Sequence, residues 1–454
     1  MFKLEMSDNH ERLGYMEKTK TNRVSRRDFI KASTAAGVGA LISGKANLFA
    51  AGSDQLRIGL IGCGFRGTGA TIQALTCSDS PVKLWAMGDV FAERIQYSYS
   101  QLSSGGSKQY DREEFGPLSS KMDVPKERQF VGFDAYQKVI DSGVDMVILT
   151  TPPHFRPQHL KAAIEAGKHV FMEKPVAVDP AGARSVIASS ELAEKKSLSI
   201  VAGTQRRYMP SYIEVIKRIH SGEIGEILAA QCYWNTGFIR NDWYWQKRKA
   251  QWSDMEWQLR NWYYFTWLGG DHIVEQHVHN IDVINWAFGT HPVRAMGMGG
   301  RQVRTEPQYG NIYDHFAVEY EYPNGARVTS MCRQIAGCSH RVGENIVGTK
   351  GTAQDGVIEG DKPFSYNGPY PNPYIAEHAR LQESIRQGRP INDGRQVAES
   401  SLTAIMGRMS AYTGRAINWK WVMNASKLDL SPPNYEFGDL PVRPVAVPGQ
   451  TQLI

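Results

Sequence analysis

The segment Leu56–Gly67 reads LRIGLIGCGFRG and decides the first half of the fold. Its first six residues are almost all apolar, which predicts a short buried strand. Gly62, Gly64 and Gly67 follow at once, and Thr68–Leu75 then has the composition of a helix. A glycine-rich turn between a strand and a helix lets the backbone bend tightly and approach an anion at the helix N-terminus. The segment therefore predicts a binding site for the pyrophosphate of a dinucleotide.

A second strand, predicted at Val82–Met87, ends next to an acidic residue. Asp89 lies 22 residues after Gly67, close to the spacing of ~20 expected of a carboxylate that binds ribose hydroxyls. Such a carboxylate repels a 2′-phosphate, so the sequence favours NAD over NADP. The alternative is that Asp89 only caps the helix that follows it.

The alternation of strands and helices continues along the chain. Apolar runs at 146–150 and 170–172 are predicted strands, and 136–142 and 157–166 are predicted helices. This alternation is typical of a parallel, doubly wound sheet.

Length, composition and charge exclude several classes of protein. The chain has 454 residues, of which 41% are hydrophobic and 22% charged, as in globular proteins of two or three domains. No run approaches the ~20 apolar residues that a membrane-spanning helix needs. The first 50 residues hold nine Lys or Arg and five Asp or Glu, so the remainder has 43 basic and 41 acidic residues. Without a basic excess, binding to nucleic acid loses its electrostatic support.

The five cysteines are scattered and odd in number, which excludes a disulfide framework. Only Cys332 and Cys338 are close enough in sequence to form a local bridge. The sequence has no zinc-binding spacing of cysteines and histidines.

The N-terminal segment predicts export. Ser25–Lys31 reads SRRDFIK, which matches the twin-arginine signal with Arg26 and Arg27 as its pair. An Ala- and Gly-rich apolar stretch and small residues suited to cleavage follow, so residues 1–51 are predicted to be a signal peptide. The alternative is an amphipathic helix with an accidental arginine pair. The twin-arginine route generally carries folded proteins, commonly with a cofactor bound, which predicts a periplasmic or otherwise exported protein that holds its cofactor tightly.

Further motifs resemble one family. The segment Gly167–Pro175 reads GKHVFMEKP, with a Glu-Lys-Pro tripeptide after a strand. Together with the glycine turn, Thr151-Pro152-Pro153, His159 and the QRRY segment at 205–208, it resembles the Gfo/Idh/MocA oxidoreductases. That family includes glucose–fructose oxidoreductase and inositol dehydrogenase, and the resemblance covers about residues 55–420.

The resemblance implies an α/β protein of two domains. We expect a Rossmann NAD-binding domain at 52–180 and a substrate and oligomerisation domain at 181–430. The second domain is expected to contain an open, mainly antiparallel sheet, and 431–454 to be an extended tail. A homo-oligomer, dimer or tetramer, is also implied.

The resemblance also implies which residues bind the ligands. The predicted NAD-binding residues are Gly62, Gly64, Phe65, Arg66, Gly67, Asp89, Thr151, Pro152, His159, Glu173, Lys174 and Gln205. The predicted residues for a sugar or glycoside substrate are Lys174, Arg206, Tyr208, Glu275 and His279. Arg206 has an open alternative as a salt-bridged surface residue.

The predicted catalytic residues are Lys174, His279 and Glu275. Lys174 would lie at the carboxyl end of a parallel strand, where such sheets bind ligands. If 271–282 forms one helix, Asp271, Glu275, His279 and Asp282 share a face. His279 would be the general base or proton shuttle, and Glu275 would support it or bind a sugar hydroxyl.

Histidines and tryptophans crowd the same region. His272, His277 and His279 with Glu275 raise the alternative of a metal site, but His277 would point away on a helix, so no metal is predicted. Eight of the eleven tryptophans lie between 233 and 286. Two or three of the aromatic residues there are expected to contact a sugar, and the others to form core or interface.

These observations predict an exported oxidoreductase with tightly bound, recycled NAD that oxidises a ring hydroxyl of a sugar or glycoside. C3 is a carbon that fits, because a 3-keto group acidifies the neighbouring C–H. One alternative is an NAD-dependent glycosidase that uses transient oxidation and elimination. Another is a non-catalytic protein that binds NAD and sugar.

Overall fold

A computed structural model of the protein describes residues 55–105, 115–237 and 247–454. The predicted signal, with Arg26 and Arg27, lies outside these residues.

The first sheet has six parallel strands in the order β3-β2-β1-β4-β5-β6. Its strands are β1 (Leu56–Ile61), β2 (Val82–Asp89), β3 (Gln129–Val131), β4 (Met146–Leu149), β5 (His169–Met172) and β6 (Ile200–Ala202). The helices between them are α1 (Phe65–Thr76), α2 (Ala92–Ser104), α3 (Ala135–Asp141), α4 (Arg156–Glu165) and α5 (Pro180–Lys195).

Apolar residues cover both faces of this sheet. Alternate residues of β1 and β4 enter two different hydrophobic clusters, one with α1 and one with α3 and α4. Strands buried on both faces read as continuous apolar runs, which is why the run at Leu56–Ile61 was a reliable signal.

The strand order is that of a Rossmann fold, and it reverses between β1 and β4, where such sheets bind ligands. The predicted class, an α/β protein with a Rossmann domain, is confirmed. The last helix of this unit, α5, begins at Pro180, the residue where the sequence predicts the first domain to end, and β6 follows it.

The second sheet has nine strands in the order β14-β13-β12-β11-β7-β10-β9-β8-β15. Its strands are β7 (Ile227–Thr236), β8 (Arg294–Gly300), β9 (His315–Glu321), β10 (Arg327–Gln334), β11 (Arg341–Gly348), β12 (Gly351–Gln354), β13 (Val357–Gly360), β14 (Phe364–Ser365) and β15 (Ile417–Asn418). Only β7 and β10 pair in parallel. The predicted open and mainly antiparallel sheet is therefore confirmed.

Eight further helices follow β6 within the described residues, and one of them, Pro373–Gln387, packs on the first sheet. They are α6 (Pro210–His220), α7 (Asp254–Arg260), α8 (Thr266–Gly269), α9 (His272–Glu275), α10 (Val278–Phe288), α11 (Pro373–Gln387), α12 (Gly394–Thr413) and α13 (Trp419–Asn424). The long helix α12 is almost wholly buried and contacts both α5 of the first domain and β8 of the second sheet. It therefore joins the two domains through a shared core.

The second sheet buries one face and exposes the other. Burial alternates along β10, and its inward residues join the core formed with α10 and α12. On the opposite face, Met298 and Met331 both align with Ala317 of β9. Met298 is 74% exposed, and Met296 and Met331 are also exposed, so this face carries an apolar patch.

Three further features complete the fold. Residues 425–454, all of them described, form neither helix nor strand. All five cysteines are free, so the local bridge between Cys332 and Cys338 that the sequence left open does not form. No helix in the described ranges is long and apolar enough to cross a membrane.

Candidate active site

The turn between β1 and α1 brings two backbone segments into close contact. Gly62 has a φ of 97°, and a Cβ there would lie 2.5 Å from the amide nitrogen of Thr151. A Cβ on Gly67 would overlap the carbonyl oxygen of Gly62. Both positions therefore require glycine.

Gly64 differs from the other two glycines of the turn. A Cβ at this position would meet no atom within 4 Å. Gly64 is also the N-cap of α1, and as a glycine it has no side chain that could cap the helix. The N-terminus of α1 thus begins at this open position of the turn, and a helix N-terminus favours an anion such as pyrophosphate.

A cavity of about 340 Å³ lies beside this turn, at the carboxyl ends of the first strands. Nine of the predicted NAD-binding residues line it: Gly62, Gly64, Phe65, Arg66, Gly67, Asp89, Thr151, Pro152 and His159. The other three, Glu173, Lys174 and Gln205, lie outside its lining. The open space at Gly64, next to the N-terminus of α1, fits the pyrophosphate of a dinucleotide.

Asp89 is held in place by the backbone around it. One carboxylate oxygen accepts a hydrogen bond from the amide of Cys63 at 2.7 Å, and the other accepts one from Phe91 at 3.0 Å. Burial raises the pKa of Asp89 above its usual value, and the two amide donors oppose that shift. The carboxylate thus lies beside the glycine turn, as expected of a ribose-binding group.

The second domain also contributes to the cavity wall. Leu259, Arg260 and Trp262 line it, although they follow α7 or lie in it. None of these three is among the NAD-binding residues predicted from the sequence. The only signal in the sequence was the density of aromatic residues between 233 and 286, of which Trp243 and Trp245 lie outside the described residues.

The structure brings Lys174 and Glu275 together. Lys174 follows β5, and its ammonium group donates a hydrogen bond to the backbone carbonyl of Glu275. The same nitrogen lies 3.3 Å from the side-chain Oε1 of Glu275. Both side chains are only 9% exposed, so a buried ion pair connects the end of the first sheet to the second domain.

His279 lies in the first turn of α10. Its ring stacks on Trp234 with 5.8 Å between the ring centroids. Burial lowers the pKa of His279 well below its usual value, and the positive charges of Lys174 and Arg206 lower it further. The imidazole is therefore neutral at neutral pH, which is the form that can accept a proton.

The Glu-Lys-Pro segment is tied to the glycine turn. The guanidinium of Arg66 donates to the side chain of Glu173 at 2.5 Å. From the other side, Arg156 donates to the backbone carbonyl of Glu173 at 2.8 Å. Glu173 thus sets the position of the next residue, Lys174, relative to the cavity.

The side chains of the QRRY segment at 205–208 have different partners. The side-chain oxygen of Gln205 is buried and has no hydrogen-bond partner among the described residues. Arg206 pairs with Glu344 of β11, and its guanidinium lies 5.9 Å from the ring of Trp234, the residue that stacks on His279. The hydroxyl of Tyr208 donates to Asp393 at 2.9 Å, so a role in binding substrate stays a prediction for Tyr208.

The predicted single helix over 271–282 does not form. Gly270 and Asp271 have positive φ values, and a break at Gln276 separates α9 from α10. Asp271 accepts hydrogen bonds from Tyr412 and from the amide of Tyr313.

Asp282 makes a double hydrogen bond with Arg207, at 2.8 and 3.0 Å. Asp271 and Asp282 thus have structural partners. Of the four residues predicted to share a helical face, only Glu275 and His279 are left as candidate catalytic residues.

The histidines of this region have separate partners. The Nε2 of His277 lies 2.8 Å from the hydroxyl of Ser330, and the Nδ1 of His272 lies 3.2 Å from that of Tyr263. Within the described ranges, no group of three or more potential ligand side chains is arranged to hold a metal ion.

Two glycine variants test the cavity. Gly64→Ala should weaken NAD binding about tenfold, equivalent to ~1.4 kcal/mol, because its methyl group would project into open space beside α1. The free energy of unfolding of the nucleotide-free protein should change by less than ~0.5 kcal/mol. Gly67→Ala should instead lower that free energy by ~1–3 kcal/mol. Calorimetric titration with NAD and denaturant unfolding measure both effects, and wild-type affinity in Gly64→Ala would contradict this assignment.

Two protein-family models match the chain. One, described as an oxidoreductase family with an NAD-binding Rossmann fold, matches residues 56–203. The other, the GFO/IDH/MocA C-terminal domain, matches residues 212–354. Together they cover well over half of the chain.

The chain is also similar to individual curated proteins, at low sequence identity. The chain is 24% identical to scyllo-inositol 2-dehydrogenase (NAD(+)) of Bacillus subtilis (strain 168), over 50% of this chain and 59% of the relative. It is 26% identical to 2,7-anhydro-N-acetylneuraminate hydratase of Escherichia coli (strain K12), over 45% of this chain and 50% of the relative. The matches thus span little more than half the length of these relatives.

The fold is shared with solved structures. Scyllo-inositol dehydrogenase of Lactobacillus casei, with bound cofactor NAD(H) and scyllo-inositol, superposes with a TM-score of 0.59. The match covers 80% of this chain and 99% of that one at 16% identity, which shows the fold alone. With the strand order, the cavity and the two family models, these findings show that the chain belongs to the Gfo/Idh/MocA oxidoreductase family and that its first domain is an NAD-binding Rossmann fold.

Proposed function

We propose that the protein is an NAD-dependent oxidoreductase that oxidises a ring hydroxyl of a sugar or glycoside. The observation that carries the proposal is the buried pair of Lys174 and Glu275, whose ammonium group acts electrostatically on the neutral imidazole of His279. A base and a cationic hydrogen-bond donor are the groups that oxidation of an alcohol requires. The names of the two curated relatives, an inositol dehydrogenase and a hydratase of an anhydro sugar, support a polyhydroxylated substrate.

Each residue has a defined part in this mechanism. Bound NAD supplies the acceptor for the hydride that leaves the substrate carbon. His279 accepts the hydroxyl proton, because its ring is neutral. Lys174 donates a hydrogen bond to the substrate oxygen and stabilises the negative charge that develops there. Glu275 holds the Lys174 ammonium through two oxygens and so orients it.

The side chains around His279 suit a sugar. The ring of Trp234 lies against His279 and provides a flat apolar surface, while Arg206 and Glu344 provide polar groups next to it. Aromatic faces with polar edges suit the C–H faces and hydroxyl groups of sugar rings. Within the proposal, oxidation at C3 of a glycoside gives a keto group that acidifies the neighbouring C–H.

A second candidate is a net non-oxidative reaction on the same site. The relative named 2,7-anhydro-N-acetylneuraminate hydratase favours this alternative, because a hydratase adds water without net oxidation. In an NAD-dependent glycosidase, transient oxidation would precede elimination, addition of water and reduction. The two candidates differ in their products, a keto sugar or a free sugar.

Lys174→Met tests the proposed chemistry. It should lower kcat by at least ~10²-fold, because the developing alkoxide loses its cationic donor. The substrates are a panel of glucosides and disaccharides under anaerobic conditions, and the readouts are reduced-nicotinamide absorbance and product masses.

Lys161→Met is the matched control, because Lys161 is an exposed lysine on α4. A keto-glycoside formed by the wild type and lost in Lys174→Met supports the dehydrogenase. Release of free sugar without net reduction supports the glycosidase, and equal turnover in Lys174→Met would refute the assigned role.

We further propose that the protein is exported by the twin-arginine route with NAD already bound. The SRRDFIK segment supports this proposal. Free nicotinamide cofactor should be scarce outside the cytoplasm, so the bound NAD would be recycled by a second sugar or an external acceptor.

Cell fractionation tests the export proposal. Replacement of both Arg26 and Arg27 by lysine should leave the precursor in the cytoplasm, because the arginine pair is the feature that the export machinery reads. Arg12→Lys with Arg23→Lys is the matched control. Export of the Arg26/Arg27 variant at the wild-type level would contradict the proposal.

We also propose that the exposed face of the second sheet mediates a homo-oligomer. The apolar patch of Met296, Met298 and Met331 supports it. Met298→Glu with Met331→Glu should shift the protein to a monomer in light scattering, because the charges would be desolvated in an interface. Ile213→Glu, at an exposed site on α6, should leave the mass unchanged. A wild-type monomer, or an unchanged oligomer in the double variant, would contradict the proposal.

A further inference from the structure

Arg260 connects the second domain to the wall of the cavity through hydrogen bonds and a ring contact. It lies at the end of α7, and its guanidinium donates to Glu93 of α2 at 2.6 Å and to Glu256 at 2.9 Å. The same group lies 3.9 Å from the ring centroid of Phe91, a distance typical of a cation–π contact. Arg260 and Phe91 both line the cavity, and the Arg260 side chain is only 13% exposed.

The C-terminal tail, residues 431–454, packs against the outer side of the same wall. The ring of Phe437 lies 5.9 Å from that of Phe91 and 5.4 Å from that of Phe133. Tyr435 lies nearby, and its hydroxyl is 2.8 Å from the Nε2 of His154. Because Phe91 and Phe133 line the cavity, the tail supports the cavity wall without lining it.

Three hydrogen bonds join the tail to α7. The amide of Met255 donates to the carbonyl of Gly438 at 3.1 Å, and Gln258 donates to that of Leu440 at 2.5 Å. The amide of Leu440 in turn donates to Asp254 at 3.3 Å. Residues 254–262 and 435–440 therefore form one connected layer, which we name the cover.

We propose that the cover retains NAD by closing the adenosine end of the cavity. Asp89, the expected ribose-binding group, lines the cavity together with Phe91 and Arg260, which places the cover at that end. Departure of the nucleotide would require the contacts of Arg260 and Phe437 with the first domain to separate. This inference rests on the proposal that NAD stays bound, and it assigns that retention to named residues.

A purely structural role for the cover makes a different prediction. Aromatic packing that only stabilises the fold would lower the melting temperature without changing how fast NAD leaves. Retention would change the dissociation rate by more than it changes the equilibrium affinity, because a loosened cover speeds both entry and exit.

The experiment measures release of radiolabelled NAD from full-length protein into excess unlabelled NAD. Phe437→Ala and Arg260→Gln should each speed release by at least about tenfold, because most effects of such contacts are on the dissociation rate. Tyr370→Ala and Arg395→Gln are matched controls, because both residues are exposed and neither lines the cavity. Phe437→Leu keeps an apolar side chain and should release NAD at close to the wild-type rate. Melting temperatures of all variants are measured alongside.

The outcomes separate this inference from the proposed chemistry. Unchanged release in both cover variants, or equal acceleration in the controls, would overturn the inference. If one cover variant unfolds, the other still tests the inference. The two residues differ in burial, because Phe437 is half-exposed and Arg260 is not. Absence of a keto-glycoside would defeat the proposed oxidation and leave the release rates as they are.

Discussion

The buried pair of Lys174 and Glu275 is the interaction on which the proposed reaction centre depends. An ammonium group that is almost completely buried requires compensation, and Glu275 supplies it with a carbonyl and a carboxylate oxygen. Removal of one partner from a buried ion pair typically costs about 3–5 kcal/mol. Because Lys174 ends a strand of the first sheet and Glu275 belongs to the second domain, the centre exists only where the domains are packed together. The shared helix α12 provides that packing.

From this pair, a chain of contacts leads back to the nucleotide cavity. Arg66 in the glycine turn binds Glu173, and Glu173 precedes Lys174 directly. A shift of the turn would therefore move the ammonium group, and in the proposed function this couples the positions of the cofactor and the substrate. The second domain contributes at both ends of this chain, with Glu275 at the reaction centre and Arg260 at the cavity wall.

The fold was largely predictable because its signals are local. The apolar runs at 146–150 and 170–172 predicted two strands, and β4 (Met146–Leu149) and β5 (His169–Met172) lie there. The apolar run at Leu56–Ile61 and the glycine turn likewise predicted the first crossover. The prediction for 271–282 was wrong in its geometry, because spacing identifies a helical face but does not detect a break. The positive φ at Asp271 and the break at Gln276 separate residues that the periodicity had grouped.

Sequence reasoning located the glycine turn, the acidic residue at the end of β2 and the Glu-Lys-Pro segment, because short-range spacing is sufficient to recognise them. It could not identify the cover. Arg260 and Glu93 are 167 residues apart in the chain, and His154 and Tyr435 are 281 apart. Contacts between such distant residues depend on how apolar faces from the whole chain pack into shared cores. No local sequence pattern contains that information. The residues of the glycine turn and Asp89 could thus be predicted from the sequence. The residues that enclose the cavity could not, because they depend on how the two domains pack.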